Sequence, residues 1–351
     1  MKRVLLVGAG HAHAVLLASL AQSPLYGARL MLVSPYPRQI YSAMLPGLIA
    51  GHYRREEAEF DVAALAARAY AEFVPARVRS LDAAVRGVTL EDGRELEYDV
   101  LCLNAGSTPQ DDVPGAREHA LAVKPFERLV ESLFGSHIAI AGAGAGGAEL
   151  AMALRHRGCE VTLYSEQAAF AGALGLRVER ALRRRRIDFR PGMRVDAVEP
   201  GPVVIAGRAR QQFDRVLWAT GPAALPWLAT SGVAVDEHGF VRVDETLRSV
   251  SHPEVFALGD CASTGEAKSG VHAVRQGELL AGNLRKLIAG TPLEPYERQS
   301  RALLLLTCGA RYAIAARGGW TAEGRWAWWW KNWIDRRWMA RLREQKKSAV
   351  G

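Results

Sequence analysis

The sequence predicts an α/β chain built on parallel sheets, and two segments carry that reading. "VGAGHAHAVLL", residues 7–17, sits between the apolar runs 4–7 and 14–20 and reads as strand, tight turn and helix. "HIAIAGAGAGGAELAMAL", residues 137–154, repeats the same order. Buried strands alternating with helices are the pattern of parallel sheets covered on both faces. A chain of 351 residues, 49% hydrophobic and 23% charged, has room for two or three such domains.

Each glycine of such a turn has its own task. The first allows the tight turn, the second lets the backbone approach a pyrophosphate, and the third permits close packing of helix on strand. The second segment holds all three, Gly142, Gly144 and Gly147. The first holds Gly8 and Gly10, with His11 starting the helix and His13 in the third place, so the anion site can survive with looser packing. After the first unit the strand "ARLMLV" ends at Ser34, which can bond a ribose hydroxyl without charge. After the second, "CEVTLYSE" ends in Ser165 and Glu166, which puts an acidic group within range of a ribose. Two dinucleotide units in one chain predict a flavin held permanently and a nicotinamide bound transiently, with hydride passing between them.

Three further segments fit this plan. "DVLCLNAGSTP" (99–109) and "DRVLWATGPAALP" (214–226) share a form: an acidic residue, a buried strand, small residues, then Gly106 or Gly221 before a proline turn. "HPEVFALGDCA" (252–262) is an apolar strand ending in Gly259 and Asp260, an aspartate able to accept hydrogen bonds from a ribitol hydroxyl.

Other classes are set aside by composition. No window approaches 18 uninterrupted apolar residues, so no membrane span is expected. The first strand starts within three residues of the N-terminus, leaving no room for a signal peptide. Four scattered cysteines form no CxxC spacing and no disulfide framework, which points to a reducing cytoplasm and to inert burial of Cys102 and Cys159. No metal-ligand spacing is seen. The net charge of +8 gathers in the tail, where residues 317–347 hold nine Lys and Arg against three Asp and Glu. "GRWAWWWKNWIDRRWMARLREQKK" contains six of the nine tryptophans. At 100° per residue, Trp326, Trp329, Trp330 and Trp333 share one side of a helix; Trp328, Trp338, Met339 and Leu342 tend to the other. One side suits the protein body, and residues 325–347 suit the inner face of a membrane; burial of both sides, against the core or in a homodimer, is the competing expectation. No recognition module accompanies the basic residues, so nucleic acid is not expected. The run 183–186 of four arginines reads as a solvated face.

The ordered set GxGxxH, NAGSTP, GxGxxG, ATG and GD resembles the two-dinucleotide flavoproteins of the pyridine nucleotide-disulfide oxidoreductase superfamily. "YSAMLPGLIAGHY", "AVKPFERLV", "KSGVHAVRQG" and the Trp-rich C-terminus resemble its type II NADH dehydrogenase-like branch, closest to the group also found fused to selenide-water dikinases. The resemblance implies two Rossmann-like domains plus a C-terminal β-β-α segment: FAD on residues 1–122 and 246–300, NAD(P)H on 123–245, and 301–351 closing the fold. It implies that Gly8, Gly10 and His11 face the FAD pyrophosphate, Ser34 the adenosine ribose, Ala105 and Gly106 the length of the FAD, and Gly259 and Asp260 the ribitol. A helix starting near Val271 would aim its positive end at the flavin, and Pro46 would approach the isoalloxazine. Glu149, matching GxGxxGxE, would stand near both rings with Lys124 or Lys268 as partner, and His272 would assist in positioning or proton delivery. The implied activity is hydride transfer from NADH, with NADPH as the alternative, to FAD, then electron transfer to a quinone. Two departures count against parts of this: no redox cysteine pair follows the first unit, and Gly270 and Val271 stand where the branch commonly has an Ala-Gln pair beside the quinone. A soluble reductase of a small acceptor, in selenium metabolism for instance, and a slow redox sensor holding FAD and NAD are the alternatives.

Overall fold

A computed structural model describes residues 1–167, 170–299 and 301–343. β1 (Lys2–Val7) lies between β2 (Ala28–Val33) and the strand Val100–Leu103, with Ala71–Val74 and Val255–Ala257 at the edges of an all-parallel five-stranded sheet. Residues 4–7 of β1 and the whole of Val100–Leu103 are apolar and buried because both faces are covered. Val4 and Leu6 join the core beneath α1 (His11–Gln22), while Leu5 and Val7 join the core beneath an antiparallel meander spanning 78–97. Successive side chains of a strand point to opposite faces, so one short strand serves two cores.

The second sheet is also parallel and five-stranded. β3 (His137–Ala141) lies between β4 (Glu160–Ser165) and Arg215–Trp218, with Asp188–Pro191 and the short strand Leu121–Ala122 outermost. α2 (Ala145–His156) and α3 (Gly172–Arg184) are its main helices. An antiparallel pair, Thr108–Pro109 with Pro222–Ala223, ties the two chain crossings together.

α4 (Gly270–Ala289) packs on α1 and is capped by Ser269, whose Oγ accepts from the Val271 amide at 3.3 Å. The chain then forms an antiparallel sheet of β5 (Leu304–Thr307), β6 (Ala313–Arg317) and β7 (Trp320–Gly324), followed by α5 (Arg325–Arg343). The sequence predicts two strands here. β7 is the addition; "WTAEG" has glycines on both sides and no buried face to produce an alternating pattern. α5 buries Ala327, Trp328, Met339 and Leu342 in the core shared with α1, while Trp326, Trp329, Trp330 and Trp333 stand exposed. The two-sided reading of the helix therefore holds over its described length; Lys346 and Lys347, counted in the basic stretch, and Ala168 and Ala169 after Glu166 lie outside the described residues. Among the described residues no helix is long and apolar enough to cross a membrane.

Candidate active site

The two glycine turns solve one packing problem differently. A Cβ on Gly147 would overlap the Gly142 carbonyl, so helix and turn approach as closely as glycine allows. In the first turn His13 fills the equivalent place. Its Nδ1 donates to the Gly8 carbonyl at 2.6 Å, its amide donates to Asn104 Oδ1 at 3.2 Å, and its Nε2 is buried with no partner. Burial holds the ring neutral, with its pKa down at about 4. Gly8 itself has φ +85, and a Cβ there would lie 2.5 Å from the Asn104 carbonyl. Asn104, which the sequence reading passed over, joins three loops: besides the first turn it donates from Nδ2 to the Leu258 carbonyl at 3.0 Å. Gln276 Oε1, also missed, accepts from the Gly259 amide at 2.7 Å.

These turns fit dinucleotide phosphates. Gly10 and Gly144 are the N-caps of α1 and α2 and bring no capping side chain of their own, and neither helix has an acidic residue in its first turn. Apart from the His13 amide, which Asn104 takes, their first amides remain free for an anion. The space beside Gly144 and Gly106 is open. Glu166 is exposed at the end of β4 and Ser165 is half-buried; Gly221 is exposed, its carbonyl accepting from Gln110 N at 2.8 Å. Ser34 is buried and its Oγ accepts from Gln39 Nε2 at 3.2 Å.

A second group of polar side chains gathers where α1 meets the loop after Val255–Ala257. Lys124 Nζ donates to Asp260 Oδ2 at 2.6 Å and to Ser107 Oγ at 3.1 Å, and Ser107 donates to Asp260 at 2.9 Å. Burial pushes the Asp260 carboxyl up, but the Lys124 charge and these hydrogen bonds outweigh it and hold the group below the ordinary aspartate range. His11 senses both charges and is kept neutral by burial, its pKa down at about 4. Its Nε2 lies 3.1 Å from Ser42 Oγ, and Tyr41 stacks on Trp338 of α5 beside it, ring centroids 4.1 Å apart.

Glu149 occupies the inner side of α2. Its Oε1 accepts from the Thr307 amide at 2.7 Å and from Thr307 Oγ1 at 2.9 Å. Burial raises its pKa; the Lys331 charge and the Thr307 bonds oppose this. Lys331 is buried on α5 and donates to Asp335 Oδ2 and to the Ala43 carbonyl, both at 2.8 Å. Asp335 in turn bonds Tyr41, whose phenol burial pushes up, and neighbouring Asn332 accepts from Tyr53 OH at 2.9 Å. Pro46 lies buried in the short helix Leu45–Ile49, which packs on α2.

Among the described residues neither expected lysine is ion-paired with Glu149. Lys124 is engaged with Asp260, and Lys268 donates to the Ala262 carbonyl with its ammonium 3.8 Å from the centroid of the Phe240 ring. Lys331 is the lysine whose charge acts on Glu149. It escaped because a lysine in a basic helix reads as solvated, although Lys331 and Asp335 follow Trp328 by three and seven residues and so share its buried side. His272 is buried with Nδ1 3.1 Å from Glu266 Oε1; its carboxylate neighbour is not Glu149. Ala105 is half-buried in the loop after Val100–Leu103, and Val271 is exposed in the first turn of α4.

A model of the pyridine nucleotide-disulphide oxidoreductase family matches residues 2–277. An NADH dehydrogenase-like protein of Mycobacterium tuberculosis is 32% identical over 54% of the chain and 55% of its own length, so that match spans about half of the relative. A type II NADH:quinone oxidoreductase of Staphylococcus saprophyticus is 24% identical over 96% of the chain and 94% of its own. Among solved structures, NDH2 from Plasmodium falciparum in complex with NADH aligns with a TM-score of 0.79 at 12% identity, over 100% of this chain and 99% of that one. The sulfide:quinone oxidoreductase of Aquifex aeolicus also aligns at 0.79, at 19% identity over 98% and 92%. At such identities these structures share the fold.

Proposed function

The chain belongs to the pyridine nucleotide-disulphide oxidoreductase family, which uses FAD and NAD(P)H, and from that we propose an FAD-dependent NADH dehydrogenase whose second electron acceptor is a membrane quinone. The observation that carries the reading is the pair of glycine turns opening onto helix N-termini that have glycine caps and no acidic residue in the first turn, one in each parallel sheet, with Glu149 of the second helix joined to the C-terminal segment. FAD, when bound, supplies a hydride acceptor that can pass electrons onward one or two at a time.

The remaining work belongs to the chain. The free amides of α1 hold the FAD pyrophosphate on residues 1–122 and 246–300, and those of α2 hold the nicotinamide dinucleotide on 123–245. Asp260, kept ionised by Lys124, accepts from hydroxyls of the FAD chain, and the start of α4 presents its positive end there. Glu166, exposed where β4 ends, favours the ribose hydroxyls of NADH over the phosphate of NADPH. Thr307 occupies Glu149 Oε1, which leaves Oε2 to carry a proton, and Lys331 pulls against the burial that retains it. All four cysteines are free and buried, which argues against disulfide exchange. The four outward tryptophans and the arginines of α5 suit a membrane interface, where a quinone is met.

Anaerobic stopped-flow mixing tests this. NADH should bleach the flavin absorption faster than NADPH does, and a water-soluble quinone should restore it rapidly. Rapid bleaching without reoxidation by quinone would replace the quinone with a small soluble acceptor; no bleaching by either nucleotide would end the dehydrogenase reading.

A further inference from the structure

A cleft of about 590 Å³ opens at the far end of α2 and α3, against the turn between β5 and β6. Arg155 and His156 of α2, Arg184 at the end of α3, Arg185, Arg186 and Tyr312 line it, with Ala181 and Cys308 on the floor. No carboxylate lines it. The phosphate-binding ends of the dinucleotide sites are the N-termini of α1 and α2, and the 12 residues of α2 set this cleft about 18 Å from its own N-terminus. It is therefore separate from the nicotinamide site.

Basic residues in the last turn of a helix stabilise its dipole, which accounts for Arg184 and part of the work of Arg155. Arg155 donates from Nε to the Arg185 carbonyl and from Nη1 to the Cys159 carbonyl, and Arg184 leans to Glu323 at 3.7 Å. Arg185 and Arg186 have no such partners among the described residues. Arg186 also sits at φ +55, a left-handed position just past a helix end that glycine or asparagine adopts more cheaply. From that position Arg186 lines the cleft. Adjacent guanidinium forks suit the paired oxygens of phosphates, and a volume of this size suits a small organic molecule.

We propose that this cleft binds a phosphorylated small molecule carrying at least two negative charges, at a site distinct from both dinucleotides. The test is calorimetric titration of inorganic pyrophosphate into the full FAD-loaded chain, with NAD+ present in excess to fill the nicotinamide site. One pyrophosphate should bind per chain, more weakly as salt rises. Arg185→Ala/Arg186→Ala should weaken it at least tenfold while the melting temperature stays put, and Arg183→Ala, at the adjoining end of α3 but outside the lining, should leave it unchanged. Equal affinity in the double variant, an equal loss in Arg183→Ala, or no binding to the native chain would overturn the site. Sedimentation with phosphatidylglycerol vesicles that the double variant loses, with no pyrophosphate bound, would assign the phosphate to a lipid headgroup and overturn the small molecule.

Discussion

Replacing His13 by glycine would complete the glycine pattern of the first turn, yet the geometry predicts a loss. The change removes a fully buried ring, its hydrogen bond to Gly8, and helix propensity in the first turn of α1. Together these cost about 3 kcal/mol, measurable as a lower urea midpoint; an unchanged or higher midpoint would show that the ring is incidental. The same histidines set an acid response. His11 and His13 have folded-state pKa values of about 4, below the ordinary 6.5, so the fold favours their neutral forms. Their contribution is complete above pH 6.5 and is lost as pH falls from there towards 4, with the unfolded chain taking up as many as two more protons. Urea midpoints measured across that window should drop, and less so for His11→Asn; a flat profile would contradict the burial. At this scale spacing in the sequence singled out residues such as Glu149 and Asp260, and the structure places both among hydrogen-bonded polar side chains. It hid Asn104, Thr307 and Gln276, whose roles are made by contacts between distant loops.

α5 shows how far periodicity reaches. Its two tryptophan faces are visible at 100° per residue, but the polar stripe of Lys331, Asn332 and Asp335 along the buried side is not, because charged side chains are assigned to solvent by default. Lys331→Met leaves Asp335 buried without its cation and is expected to cost about 3 to 5 kcal/mol, whereas adding Asp335→Leu should restore most of it. A double-mutant cycle in thermal unfolding checks this; additive losses would mean that the pair is not coupled. The opposite face calls for a different experiment. Changing Trp326, Trp329, Trp330 and Trp333 to Gln should leave the melting temperature unchanged and abolish sedimentation with anionic vesicles, and retained sedimentation would move the membrane contact elsewhere.

The molecule as a whole is less modular than its two glycine units suggest. The core under α1 takes Val4 and Leu32 from the first sheet, Leu280 from α4, Ala313 from β6 and Trp328 from α5. The core of the second sheet takes Ile40 and Leu45 from near the N-terminus and Leu306 from β5. Each core thus draws on several distant parts of the chain, and a single cooperative transition is expected. Six of the nine tryptophans lie in α5, so fluorescence reports the C-terminal segment while circular dichroism reports all of it. The two should coincide through urea unfolding; fluorescence changing first would show the segment detaching independently. Both parallel sheets were legible because their turns need particular residues, whereas β7 and the shared cores depend on partners far along the chain. The cysteines share one further property. Cys102, Cys159, Cys261 and Cys308 are all free and buried, with burial pushing each thiol up, for Cys308 to about 12. A maleimide dye should therefore label the folded protein poorly, even at Cys308 on the floor of the cleft. One cysteine introduced at Trp333 would become its main attachment point, giving a label on α5 whose depth in a lipid surface could be read against a low background.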